Sequence, residues 1–253
     1  MMKLKYLTIS LLICFNTTSF AKKVIIDPGH GGQDCGAKAK IWKKKKLKVL
    51  CEKDLTLKIA LLLKKFIDQS KRHSAFLTRI TDKSLSLDKR SKMADHIKAD
   101  VFISVHLNAT TNKNASGFET YYLDNHDDVA IQKVEKVENK DISGEQKVIN
   151  SILADLVVER VAPQSKILGN DVHNAIKYKL TKRYKLKDRG LKPGLFYVLA
   201  LSKRPSILLE AGFLTNKAEA GLMNDHWFQR VYAKNVAKGI IKYLDRNSNP
   251  NLF

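Results

Sequence analysis

The stretch VFISVH, residues 101–106, decides the fold. Its first five residues are apolar but for the small Ser104, without the polar alternation of a half-exposed strand, so it reads as a strand covered on both faces. Comparable runs stand at residues 23–27, ended by Pro28-Gly29, and at 74–78, 195–199 and 206–209. Residues 117–123 alternate aromatic and polar side chains, again as a strand does. Helical spacing fills the intervals. Leu55, Ile59, Leu62 and Phe66 mark a helix over 52–67, and Met93 and Ile97 face inward from one over 87–97. A further helix is expected over 165–184. The closing helix over 227–244 turns Val231, Val236, Ile240 and Leu244 inward. Strands alternating with helices predict a single α/β domain with a central, mostly parallel sheet.

Two segments depart from that rhythm. Residues 38–48 are lysine-rich, with Lys43 to Lys46 in a row, and read as a solvated loop. Residues 124–164 begin polar and acidic, then turn helical, with Ile149, Ile152, Leu156 and Val157 on one face. They are expected to form a helical insertion and not a second domain.

A chain of 253 residues with 44% hydrophobic and 28% charged residues can bury an ordinary globular core. Its formal net charge of +21 implies anionic surroundings. The first 21 residues narrow the choice. Lys3 and Lys5 precede the apolar run LTISLLICF, and Ser19-Phe20-Ala21 offers small residues for cleavage, so a secretory signal peptide is expected over 1–21. Ile13 before Cys14 speaks against a lipoprotein cysteine. Export and the lack of any nucleic-acid motif oppose a nucleic-acid partner. No later apolar run is long enough to span a bilayer. Cys35 and Cys51 remain after cleavage. An oxidising compartment would permit a bridge between them, but two free thiols are the simpler expectation.

Three chemically apt residues stand at strand ends: His30 after VIIDPG, His106 after VFISV, and Glu210 after SILL. In an open α/β sheet, ligands bind outside the carboxyl ends of the strands. Glu52 opens the first helix. Two imidazoles and one carboxylate suit zinc, which needs three protein ligands and an open position for water. His30, Glu52 and His106 supply that set, and Glu210 is placed to act as base. Each residue alone has an ordinary reading. A histidine after a strand is more often structural, Glu52 favours a helix N-terminus by its charge, and Glu210 fits a buried ion pair. His73, His96, His126, His173 and His226 follow no apolar strand and read as surface or packing residues.

The words VIIDPGHGGQDCGA, CEKDLTLKIALLL, LTRITD, LDKRSKMADHIKADVFISVHLNA, GFETYYL and RPSILLEAGFLTN occur in that order. Together they closely resemble the catalytic domain of the zinc-dependent N-acetylmuramoyl-L-alanine amidases of type 3, AmiC-like members included. The resemblance spans nearly all of residues 23–244. It places the family's zinc ligands on His30, Glu52 and His106 and its catalytic glutamate on Glu210. It implies a sheet of about six strands flanked by helices. The activity it implies is cleavage of the amide between the N-acetylmuramic acid lactyl group and L-alanine of the stem peptide. The catalytic domain is expected over 22–246, followed by a short tail over 247–253. A periplasmic, monomeric enzyme acting in wall remodelling and daughter-cell separation is the expectation. Cys35 departs from the family's usual proline, and the lysine-rich segment is longer than is typical. No added wall-binding module is evident, so the basic surface is expected to attract anionic wall polymers instead. A carboxypeptidase with the same metal set and a non-enzymatic wall-binding protein are the competing readings.

In AmiC-like relatives an insertion at this place carries a helix that plugs the active site. Residues 129–139 fit such a helix, and Glu138-Asn139 looks like the family's Glu-Asn pair. Glu138, or failing it Glu135, is expected to cap the metal. Release would then call for an activator, by resemblance of the LytM type.

Overall fold

The computed structural model describes residues 21–43, 46–139 and 144–246. Cys14, nearly all of the expected signal peptide and the expected tail therefore lie outside the described residues. The elements run β1 (Lys23–Pro28), β2 (Lys38–Lys43), β3 (Lys46–Cys51), α1 (Glu52–Gln69), β4 (Ser74–Leu77), α2 (Leu87–His96), β5 (Val101–Asn108), β6 (Phe118–Leu123), α3 (Val129–Glu138), α4 (Gly144–Tyr184), β7 (Asp188–Gly194), α5 (Tyr197–Ala200), β8 (Ser206–Phe213), α6 (Lys217–Met223) and α7 (His226–Arg246). Six strands form the central sheet in the order β4-β1-β5-β8-β6-β7. All neighbours pair in parallel except β6 and β8. The expected α/β sheet is therefore present.

Strand periodicity divides the core into two layers. Val24, Ile26, Val101, Ile103, Val105, Ile207 and Leu209 face α1, α7 and the second half of α4. Ile25, Phe102 and Leu208 face the other way, against α2, α5 and the first half of α4. Covering both faces explains why β5 and β8 are buried at every residue. Asp27 lies on the second face, where it pairs with Arg90 of α2 at 2.7 Å.

Four expectations are corrected. Residues 38–48 are not a loop: β2 and β3 make an antiparallel hairpin, because Ala39, Ile41 and Leu50 turn inward against the core while Lys38 and Lys40 alternate with them onto the outer face. Cys35 and Cys51 are not free thiols but a disulfide across a sequence separation of 16. The run at 195–199 does not form a strand. Its apolar character marks burial, not extension, and α5 occupies it; the strand is the preceding DRGLKPG. Pro193 is tolerated there because β7 is the sheet edge. Finally, helices expected to be separate on either side of residue 164 are one helix of 41 residues with Pro163 inside it. Packing overrides the proline, since Val157, Val158, Val161 and Ala162 precede it in one core layer and Leu168, Val172, Ile176 and Leu180 follow in the other.

Candidate metal centre and the cleft around it

His106 and Glu210 are register partners on adjacent parallel strands. Both strands run past the expected ends, so the two residues sit within β5 and β8 near their carboxyl ends and not beyond them. His30 comes from the turn after β1, with a positive φ of 60°. That turn is fixed from beneath by two buried arginines. Arg79 donates to the carbonyls of Pro28 (3.0 Å) and Gly29 (2.8 Å), and Arg90 donates to those of Pro28 (2.9 Å) and His30 (2.7 Å). Gly29 is required by close approach, because a Cβ there would lie 2.4 Å from the His106 ring.

Glu52, at the start of α1, is 2% exposed and held at both oxygens. Ala37 N–H donates to Oε2 (2.8 Å) and Leu107 N–H donates to Oε1 (2.9 Å). Glu52 Oε1 lies 3.0 Å from His30 Nε2 and 3.3 Å from His106 Nδ1. Glu138, the last residue of α3, brings Oε2 to 3.0 Å from His106 Nδ1 and 3.8 Å from His30 Nε2. All three expected ligands are thus brought together, with Glu138 as a second carboxylate. Glu135 is not there. It pairs with His126 at 2.7 Å and accepts the Leu195 N–H, clamping α3 to the chain before α5. Asn139 adds to that clamp by bonding Leu195 O at 3.0 Å and Tyr197 N at 2.9 Å.

A cation fits this donor set. Among the described residues, His30 Nε2, His106 Nδ1 and Glu210 Oε2 are buried without a hydrogen-bond partner, although carboxylates crowd the two imidazoles. The Asp34 carboxylate pairs with His30 Nδ1 at 2.7 Å, which turns the lone pair of Nε2 toward the centre. Electrostatics agree. Burial works against a charged His30, but Glu52 and Asp34 outweigh it and raise the group to about 9. Burial likewise opposes charge on His106, and Glu138 with Glu52 raises it to about 10. Glu210 is pushed well above the usual carboxylate range, first by burial and then by Glu138, Glu52 and Glu119. The pocket holds more negative charge than its own imidazoles relieve, which is the environment a divalent cation stabilises.

A family model described as N-acetylmuramoyl-L-alanine amidase matches residues 24–242. The chain belongs to that amidase family. AmiA of Escherichia coli (strain K12) is 29% identical over 230 residues, covering 87% of this chain and 75% of AmiA. The solved N-acetylmuramoyl-L-alanine amidase from Clostridium difficile 630 superposes with a TM-score of 0.67 at 30% identity, covering 89% of this chain and 97% of that one. The CwlD amidase from Clostridioides difficile, solved in complex with the GerS lipoprotein, gives a TM-score of 0.65 at 28% identity, covering 88% of this chain and 98% of that one. The amidase is accordingly a hydrolase of peptidoglycan.

Two cavities open on the amidase centre, of about 620 and 780 Å³, and both are lined by His30, Val137 and Glu138. The end of α3 thus divides one cleft into two. The larger cavity carries residues that strand-end reasoning missed. Glu119 faces Glu210 across β6 and β8, and accepts from Tyr121 Oη and Arg189 Nε. Lys192 stands 3.4 Å from the same carboxylate. The alternation in FETYYL was the available signal, since it puts Glu119 and Tyr121 on one face. His173, expected as packing, is buried between Thr120 (3.0 Å) and Asp188 (2.9 Å), away from the metal centre.

Proposed function

We propose that this is an exported, zinc-dependent amidase that cleaves the bond between N-acetylmuramic acid and L-alanine, restrained at rest by its own insertion. The observation that carries it is the convergence of two buried imidazole nitrogens, on His30 and His106, upon the Glu52 carboxylate at 3.0 and 3.3 Å. Those three residues would hold the metal. Glu52 is the third ligand in preference to Glu138, because two backbone amides fix it while Glu138 ends a separable helix. A zinc ion held there would supply an acidified water and a Lewis acid for the scissile carbonyl.

Glu210 takes the proton from the attacking water and delivers it to the leaving amine of L-alanine. Its raised proton affinity suits delivery. Withdrawing Glu138 removes one of the charges that hold Glu210 protonated and so favours its ionised, basic form. Glu119 and Arg189 line the cleft beside Glu210 and orient substrate there.

Glu138 occupies the approach to the metal, and α3 must leave before substrate enters. The exposed stripe of Ile149, Ile152, Leu153 and Leu156 on α4 suits an activator that binds the insertion. A LytM-type protein of the periplasm fits that role, and daughter-cell separation fits such control. That CwlD is solved with a lipoprotein partner supports protein-dependent control in this family.

The test uses residues 22–253, a Glu210→Ala variant and a deletion of residues 124–144, each incubated with purified peptidoglycan. Intact stem peptides beginning with L-alanine, absent with Glu210→Ala and increased by the deletion, are expected. Cuts between stem amino acids would replace this reading with a carboxypeptidase. Lower yield from a folded deletion variant would remove the insertion's restraining role.

A further inference from the structure

The β2–β3 hairpin stands apart from the central sheet and from the residues assigned to the chemistry. Its register places Lys38, Lys40 and Trp42 opposite Cys51, Val49 and Leu47 on one face. The opposite face is anchored: Leu50 is buried, and Ala39 and Ile41 pack against the core. Among the described residues the first face has no cover. Trp42 is 71% exposed, Leu47 51% and Val49 50%. Lys38 and Lys40 are exposed beside them on that face, Lys46 and Lys48 are exposed on the other face, and no acidic residue stands between Asp34 and Glu52.

We propose that this face docks the amidase on an anionic phospholipid surface, with Lys38 and Lys40 on the head-group phosphates and Trp42, Leu47 and Val49 in the interfacial layer. Uninterrupted positive charge selects an anionic partner. The apolar strip selects among anions. A soluble polyanion gains nothing from burying Leu47 and Val49, whereas a bilayer interface takes up aliphatic side chains and favours tryptophan at head-group depth. The anchoring suits the purpose as well. The Cys35–Cys51 bridge closes the base of the hairpin, and Glu52 follows at once, so the docked face is held in fixed relation to the metal centre. This inference stands apart from the proposed hydrolysis and does not need it.

The chain has two tryptophans, so Trp227→Phe leaves Trp42 as the sole reporter. That variant is mixed with vesicles of equal parts phosphatidylglycerol and phosphatidylcholine, and with vesicles of phosphatidylcholine alone. Cosedimentation and a blue shift of Trp42 emission are expected with the first and neither with the second. W42S/L47S/V49S in the native chain, and separately glutamine at Lys38 and Lys40, should each weaken binding at least about tenfold. Circular dichroism checks that both variants fold, and the lysine variant removes no apolar contact. Undiminished vesicle binding by the folded variants would overturn the proposal. So would an unshifted Trp42 in bound protein, or equal affinity for soluble polyphosphate that the apolar substitutions leave unchanged.

Discussion

The edge of the central sheet and the insertion beside it contribute to the same centre on very different terms. His106 and Glu210 stand on strands buried at every residue, and Glu52 is tied by two backbone amides. Glu138 arrives on α3, a ten-residue helix in which only Ile131 is buried. That helix is held by an Asp128 cap and by the polar clamp of Glu135 and Asn139. Groups that must keep their geometry are fixed by packing, which is lost only with the fold. In the proposed switch the group that leaves is fixed by Ile131 and a handful of polar contacts, each polar contact worth about 1 kcal/mol net. The difference teaches that a restraint can be built to fail first, at little cost to the site it guards.

The sharpest way to break this comparison is at Glu210. Glu210→Gln should lower kcat about 1000-fold, within the range for loss of a general base, with an unchanged melting temperature and metal content. A modest loss would move the base elsewhere.

The metal centre comes next. His30 and His106 are raised to about 9 and 10 in the metal-free fold, so both are protonated near neutrality. Zinc must displace both protons, and its affinity should rise up to about 100-fold per pH unit below that range. Calorimetry in buffers of different ionisation enthalpy would count the protons released. The sign for stability is opposite. The imidazolium–carboxylate pairs stabilise the metal-free fold fully below the unfolded histidine pKa, and that contribution is lost as pH rises through about 9 to 10. A metal-free melting temperature that climbs over this window would contradict the paired arrangement.

The disulfide extends the rigid side. Replacing Cys35 and Cys51 by serine should cost about 3 kcal/mol for a loop of this length, read by denaturant titration. The smallest effect belongs to the insertion. Glu138→Ala should raise basal turnover about tenfold, the consequence of weakening a restraint by ~1.4 kcal/mol. Glu135→Ala should act in the same direction without touching the metal, by opening the clamp. If Glu135→Ala were silent while Glu138→Ala activated, α3 would block by charge alone and not by position.

The rigid side was also the legible side. VIID, VFISV and SILL announced strands whose ends carry His30, His106 and Glu210, because burial on both faces forces an apolar run and the run's end marks the ligand edge. Legibility faded wherever contact replaced periodicity. An apolar run such as LFYVL reads alike for a buried strand and a buried helical turn, and α5 was missed for that reason. The hairpin hid behind its lysines, since most of its described side chains answer to solvent. The expected division at residue 164 is denied by packing on both core layers, which carries one helix through Pro163. Arg79 and Arg90 lay inside the recognised words LTRITD and LDKR. Their work is to hold carbonyls of a distant turn, and no local pattern encodes that.

The uninterrupted run of α4 has a consequence for how this chain can diverge. Its exposed stripe at Ile149 to Leu156 and its buried stripe at Leu168 to Leu180 belong to one helix. Adding or deleting a single residue between them would turn the first about 100° around the axis relative to the second. The outward surface of the insertion can therefore drift by substitution, while changes in length are confined to steps near whole turns. Lineages of this enzyme should vary in what that stripe is made of far more readily than in where it points.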